Sequence, residues 1–140
     1  MALTFDTKTI HLINIFETLT NVNVNDCIID ESTNTVYFIV KEGKIGLAIG
    51  KNGENVKNVE KVLKKNVKIF EFSNDLQKFV KNLIPSANSI NIKNENGKIV
   101  VEIKVNKNDK VFVIGRDERN LKIYKEILQR SHNVSDLIVR

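Results

Sequence analysis

Apolar residues recur at helical spacing through residues 7–20, where Ile10, Ile13, Phe16 and Leu19 share one face, and this predicts an amphipathic helix. "DCIID" and "TVYFIV" are rich in β-branched residues and flank the turn formers "ESTN", which predicts a hairpin. A short helix from Lys44, a glycine turn and a longer helix starting near Gly53 follow, with Val56, Val59, Val62 and Leu63 as core positions. "VKIFEF" then reads as a strand. The order begins again at "NDLQKFVKNLI", a helix with Leu76, Phe79, Val80 and Leu83 on one face, Asn74 or Asp75 as N-cap and Pro85 beyond its end. Strands "SINIK" and "GKIVVEIKV" about the turn "NEN", a second long helix with Leu121, Tyr124, Ile127 and Leu128 as core, and the strand "VSDLIV" complete it.

The second series copies the first. A shift of 65 positions lays "VYFIVKEGKIGLAIGKNGENVKNVEKVL" (36–63) on "VEIKVNKNDKVFVIGRDERNLKIYKEIL" (101–128) without a gap. Val36 meets Val101, Val40 meets Val105, Ile49 meets Ile114, Gly50 meets Gly115, Asn55 meets Asn120, Lys57 meets Lys122 and Leu63 meets Leu128. Such a repeat predicts two units of one architecture. The join falls near Ser73, where "FEFSNDLQ" runs from strand into helix cap without a flexible linker. Units of ~70 residues are marginal alone, so two small α/β units packed rigidly together are expected.

Composition narrows what such a chain can do. With 41% apolar and 28% charged residues in 140, it reads as soluble and globular. No apolar run nears the ~20 residues that span a bilayer, and "MALTFDTKTIHL" lacks the build of a signal peptide. A cytoplasmic protein without membrane contact is expected. Cys27, in "DCII", has no cysteine partner, and His11 and His132 give it no zinc spacing, so it reads as core. The formal charge of +5 is uneven: residues 1–40 carry −4, residues 41–68 carry +5 and residues 98–140 carry +4. Two basic segments suggest a polyanion partner, nucleic acid before membrane. Asn, Lys and Ile are all abundant, however, and some lysines can be merely solvated.

Gly43, Gly46, Gly50 and Gly53 are four of the chain's six glycines, and only Gly50 meets a glycine in the copy. Gly43 and Gly46 face Asn108 and Val111 and are dispensable to the shared architecture. A phosphate-binding P-loop needs four residues between its glycines, then Lys and Ser or Thr. Here Gly46 and Gly50 enclose three, and Asn52 stands where the hydroxyl belongs. The dinucleotide fingerprint fails too, and no triad, paired carboxylates or metal cluster is visible, so neither an enzyme nor a cofactor is expected. At the start of a helix, "GKNG" has another use: small residues let a backbone approach closely, while free amides and the helix dipole favour phosphate. Lys51 adds charge at its tip.

G-x-x-G alone is a weak signal. Its context, aliphatic-Ile-Gly-x-x-Gly-x-Asn-aliphatic between two helices behind a hairpin, resembles the KH domain, whose G-x-x-G loop clamps the backbone of four nucleotides. The helix-first order is similar to the type II topology, αββααβ. "LAIGKNGENVK" and "VIGRDERNLK" in tandem resemble the KH pair of the NusA family, in particular the short NusA-like transcription termination factors of archaea. The resemblance implies an α/β (α+β) fold of two tandem type II KH domains, residues 1–73 and 74–140, each a three-stranded sheet with its helices packed on one face. It implies a monomer that binds single-stranded RNA in transcription elongation or termination, with RNA polymerase or a transcription complex as a further partner.

Carried onto this sequence, the motif makes Gly50, Lys51, Asn52 and Gly53 the clamping loop and Ile49, Val56 and Ile69 the walls of an apolar groove for bases. Asn55 and Lys57 are expected to reach backbone or base edges. In the second unit Gly115, Arg116, Asp117, Arg119, Asn120 and Lys122 correspond, but Glu118 stands where the last glycine belongs. Glu118 is expected in the first turn of the long helix, weakening phosphate binding there. From that position Glu118→Gly would lower the unfolding free energy by roughly 0.5–1.5 kcal/mol. Two other readings stay open: a protein-docking module on polymerase or ribosome that uses the KH scaffold, and an rRNA-processing or ribosome-associated KH factor. Gly50 and Gly53 could also make only a tight helix–helix turn, with Lys57 and Lys122 solvated.

Overall fold

The computed structural model describes residues 6–140. The first helix, α1 (Thr7–Thr20), starts where Asp6 Oδ1 accepts the Thr9 N–H at 2.7 Å. This cap satisfies one of the helix's orphan donors, and the hydrogen bonding from Thr9 holds the Asp6 carboxyl below the usual carboxylate range. The helix ends at Asn21, which takes the left-handed conformation at φ 58° and returns its N–H to Glu17 O. Strands β1 (Val24–Asp30) and β2 (Thr35–Val40) follow, then α2 (Ile45–Ile49), a single 3-10 turn at Lys51–Gly53, α3 (Glu54–Leu63) and β3 (Asn66–Glu71). Strand β2 lies in the middle, antiparallel to β1 and parallel to β3.

The chain divides into two compact units, the first ending at Ser73 and the second running from Asn74 to Arg140. In the second, α4 (Leu76–Leu83) is capped by Asp75, whose Oδ1 accepts from Gln77 N at 3.1 Å. Strands β4 (Ser89–Glu95) and β5 (Lys98–Lys104), helix α5 (Lys107–Ile114), a 3-10 turn at Arg116–Glu118, helix α6 (Arg119–His132) and β6 (Val134–Val139) complete it. Central β5 is antiparallel to β4 and parallel to β6, so the two sheets share one topology. The protein is therefore a mixed α+β structure with two three-stranded sheets.

In the first unit the main hydrophobic cluster lies on one face of the sheet, while Ile28, Tyr37 and Ile39, on the other face, are buried as well. Leu12 and Phe16 of α1, Ala48 of α2 and Val59 of α3 meet Cys27, Val36, Phe38, Val40 and Val67 of the strands. Cys27 forms no disulfide and is buried, as its apolar setting predicts. Ile10, expected on the inner stripe of α1, is 46% exposed; Phe16 is buried as expected, joined by Thr9, Leu12 and Thr20. The inward face is centred on the i, i+4 pair Leu12 and Phe16, which turns Ile10 toward water. Val62, expected as core, is 51% exposed because α3 buries only Val59 fully.

Two boundaries also differ from expectation. The second hairpin turns on Asn96 and Gly97, with φ 53° and 80°, and not on "NEN". Positive φ at both central residues is what a two-residue I′ turn needs, and it lets β4 run on to Glu95, opposite Lys98. Helix α6 has 14 residues against 10 in α3, so the 65-residue offset ends inside it. Val36 pairs with Val67, but its counterpart Val101 pairs with Leu137.

Phe16 and Phe38 are both fully buried and stack with ring centroids 4.2 Å apart. Large-to-small changes at such sites lose both the transfer energy and the packing around the void, so Phe16→Ala is expected to destabilise by about 3–5 kcal/mol. Urea unfolding of the full chain measures it, and a loss below about 1 kcal/mol would mean that the first core is not built on this pair.

Candidate nucleic-acid interface

Between α2 and α3 the backbone makes three excursions into positive φ within four residues. Gly50 has φ 79° and ψ 170°, Asn52 57° and 26°, and Gly53 73° and 16°. The second unit repeats the path residue for residue: Gly115 at 77° and 170°, Asp117 at 56° and 31°, and Glu118 at 59° and 23°. Internal bonds close each loop, from Gly50 N to Gly46 O at 2.9 Å and Gly53 N to Gly50 O at 3.1 Å, with Gly115 N to Val111 O at 2.9 Å and Glu118 N to Gly115 O at 3.2 Å in the copy. Glycine adopts such φ values freely, and Asn and Asp do so more readily than other residues. A glutamate there is strained.

One side chain per unit holds this path. Asn55 Nδ2 donates to Leu47 O at 2.8 Å, and Asn120 Nδ2 donates to Phe112 O at 2.9 Å, in each case tying the first turn of the long helix to the short helix before the loop. From sequence, Asn55 and Asn120 are expected to reach RNA; in the structure the donor end of each amide turns inward. The same contact explains the shared glycine. A Cβ added at Gly50 would lie 2.8 Å from Asn55 Cγ and 2.9 Å from its backbone N, and one at Gly115 would lie 2.9 Å from Asn120 Cγ. Gly53 is different, since its nearest neighbours would be Val56 Cγ1 at 3.7 Å and Lys57 Cε at 3.8 Å. Only its φ favours glycine, which is why the second unit can place Glu118 there.

Helices α3 and α6 both start without a side-chain cap, whereas α1 and α4 are capped by aspartates. The opening N–H of each is already used within the loop, Glu54 N to Lys51 O and Arg119 N to Arg116 O, and the rest of the first turn, which no side chain caps, lies beside the positive end of the helix dipole. Lys51, Asn52 and Lys57 are exposed around the first loop, as are Arg116, Asp117 and Lys122 around the second, with Arg119 half-buried. Ile49 is 37% exposed, and Val56 and Ile69 are half-buried against the core. These three lie on α2, α3 and β3, which pack against one another. Among the described residues, no three His, Cys, Asp or Glu side chains are placed to hold a metal ion, and no helix is long and apolar enough to cross a membrane.

Leu47, Val111 and Phe112 do not figure among the residues singled out in the sequence, yet they are 50%, 72% and 76% exposed. Leu47 and Phe112 occupy the same place in the repeat, three residues before the loop glycine. The signal was available in "VFVI", four consecutive apolar residues on a short helix that cannot all face one core.

Two substitutions follow from the loop geometry. Gly50→Ala brings a Cβ against backbone and side chain at positive φ and is expected to cost more than Gly53→Ala, which meets only the ~1–2 kcal/mol penalty of the left-handed conformation. Equal denaturation midpoints for the two would refute the packing argument. Glu118 sits at the N-cap in the left-handed region and not in the first helical turn, so the stability loss expected from sequence for Glu118→Gly is reversed in its main cause. Relief of ~1–2 kcal/mol of strain offsets about 0.4–1 kcal/mol of unfolded-state entropy and ~0.3–1 kcal/mol of dipole interaction. The variant should match or exceed the wild type in urea unfolding, and a loss above about 1 kcal/mol would contradict it.

Residues 13–92, which include the first loop, match the KH domain family. Across 135 residues the chain is 36% identical to the probable transcription termination protein NusA of Methanocaldococcus jannaschii, covering 95% of this chain and 73% of that protein. The protein of the same name from Thermoplasma acidophilum is 31% identical over 142 residues, covering 99% and 96%. The crystal structure of APE1850 is similar at a TM-score of 0.79 and 36% identity, over 97% of this chain and all of that one. With the loop, the helix-first order and these relatives in agreement, the chain belongs to the KH domain family and, within it, to the NusA-like proteins of archaea.

Proposed function

We propose that the protein binds single-stranded RNA in transcription termination or elongation, through two tandem type II KH domains of which the first carries the stronger phosphate clamp. The observation that carries this reading is the loop Gly50–Gly53, braced by the bond from Asn55 to Leu47 O and leading into a helix start without a side-chain cap. A rigid loop at a helix N-terminus offers backbone N–H groups to a phosphate without first having to order itself. Lys51 at the tip, Lys57 one turn into α3 and the net +5 of residues 41–68 supply the long-range attraction. Ile49, Val56 and Ile69 give the bases an apolar wall, a narrow one that suits unpaired nucleotides better than a duplex. In the second unit Arg116, Arg119 and Lys122 favour the same partner, while Asp117 and Glu118 oppose phosphate, so this loop is the weaker clamp. The relatives carry transcription termination in their names, which supports the same setting, with polymerase or a transcription complex as the further partner.

The double change Lys51→Asp and Asn52→Asp tests the clamp without disturbing the fold, because an aspartate already occupies the left-handed position equivalent to Asn52 in the second loop. Affinity for an unstructured oligoribonucleotide should fall at least about tenfold while the unfolding midpoint stays put, since exposed loop changes stay within about ±0.5 kcal/mol. Wild-type binding should weaken with salt at a log–log slope of roughly −3 to −4, from about −0.7 for each of four to six phosphates. A folded double mutant with unchanged affinity, or a slope near zero, rejects the reading.

A further inference from the structure

The second unit departs from the first in two ways that bear on each other. Its loop has lost the open glycine and carries Asp117 and Glu118, and the short helix before that loop is longer, eight residues in α5 against five in α2. The added length does not enlarge a core. Of α5 only Val113 is buried, while Val111 and Phe112 are the most exposed large apolar side chains among the described residues, at 72% and 76%. Leaving both in water forgoes the ~1.5–3 kcal/mol that burying a side chain as large as Phe contributes.

We infer that Phe112 is a stacking platform for an unpaired RNA base, so that the second unit holds RNA chiefly by a base face where the first holds it by the backbone. This rests on the RNA reading of the fold. Three features of the surface favour a nucleobase over a protein side chain. Phe112 lies three residues before Gly115, which on a helix puts the two about 5–6 Å apart, so a base on the ring belongs to a strand passing the loop. Its backbone is anchored, because its carbonyl accepts from Asn120 Nδ2 at 2.9 Å; a ring on a fixed backbone stacks with little ordering cost. The charge around it is complementary to RNA: Lys107 and Lys110 are exposed on the same helix and Arg116 just beyond it, within a segment, residues 98–140, of net +4. Asp109, Asp117 and Glu118 are the nearby acids, and the last two stand at the loop, where they disfavour phosphate but not the uncharged face of a base. Leu47 holds the equivalent place in the first unit and has no π face to offer, so the two units divide the work.

The chain contains no tryptophan, so Phe112→Trp introduces a single indole whose emission reports on stacking directly. With the full chain and an unstructured oligoribonucleotide long enough to pass both loops, Phe112→Trp should keep wild-type affinity and lose fluorescence on binding. Phe112→Ala should bind about 5- to 150-fold more weakly, the range found for one base–aromatic stack, with an unchanged unfolding midpoint. An oligomer of the same length with abasic ribose should bind wild type and Phe112→Ala equally. Leu47→Trp, as the comparison, should respond less. If wild type and Phe112→Ala bind RNA alike, or the indole of Phe112→Trp is not quenched at saturating RNA, the inference is overturned and the Val111 and Phe112 face belongs to a protein partner. In that outcome the loop double mutant still reports on the clamp by itself. If the wild type binds no RNA, both fall together.

Discussion

The contact between a loop glycine and the asparagine five residues further on is the constraint from which the rest of each unit's surface follows. With Cβ absent, the Asn55 side chain lies against Gly50 and its amide reaches back across the turn to Leu47 O; Gly115, Asn120 and Phe112 repeat the arrangement. A donor committed to a carbonyl at the end of a short helix satisfies an acceptor that the helix cannot satisfy for itself. It also adds a tie between two helices whose packing leaves little of the short one buried, since α2 buries only Ala48 fully and α5 only Val113. Without this tie, five residues of α2 would be too few to hold a helix. The loop's backbone path is thus a consequence of internal packing.

Much of the architecture was legible because it was written twice. A 65-residue shift without a gap is a statement about structure that no single window could make, and it located both helix–turn–helix segments before any propensity argument. The cap of α4 was legible to within one position, Asn74 or Asp75, since a short polar side chain before an apolar run favours a helix start, and the structure uses Asp75. What the sequence hid were choices settled by three-dimensional competition. Ile10 and Leu12 lie on nearly opposite sides of the helix, and which of them faces the sheet is undecided by the sequence because both stripes are apolar enough to qualify. The extra turn of α6 was hidden because the match between copies runs through the helix up to Leu128 and stops without saying why.

At the candidate site the sequence located the turn between the two helices but not the different structural parts its residues play. Gly50 and Gly53 look alike in a G-x-x-G pattern, yet one is required by contact with Asn55 and the other only by its dihedral. Asn55 and Asn120 read from sequence as amides that reach RNA because Asn is polar and sits beside the loop, and nothing in a linear pattern reveals that each Nδ2 also donates to a main-chain carbonyl eight residues earlier. Glu118 appears to open a helix, whereas the backbone of the loop, already determined by Gly115 and Asn120, makes it the residue before the helix and holds it at positive φ. In each case the missing information was a distance between atoms that sequence separates.

The same constraint explains why the two units could diverge in chemistry while keeping one backbone. Since the Gly–Asn contact sets the path, the residues at the loop tip and on the outer face of the short helix are released from structural duty. Lys51 and Asn52 can become Arg116 and Asp117, and Gly53 can become Glu118 at the cost of local strain, with dihedrals almost unmoved. Leu47 and Phe112 are the other side of this freedom. A residue whose carbonyl is held by the next helix cannot turn its side chain into the core without moving the helix itself, so whatever stands there is presented to solvent. A leucine in that place is tolerated exposure; a phenylalanine beside a loop that has two carboxylates and an arginine in place of the lysine is a different surface on the same scaffold. Function in this protein is therefore read from the few positions that the glycine and asparagine leave unconstrained.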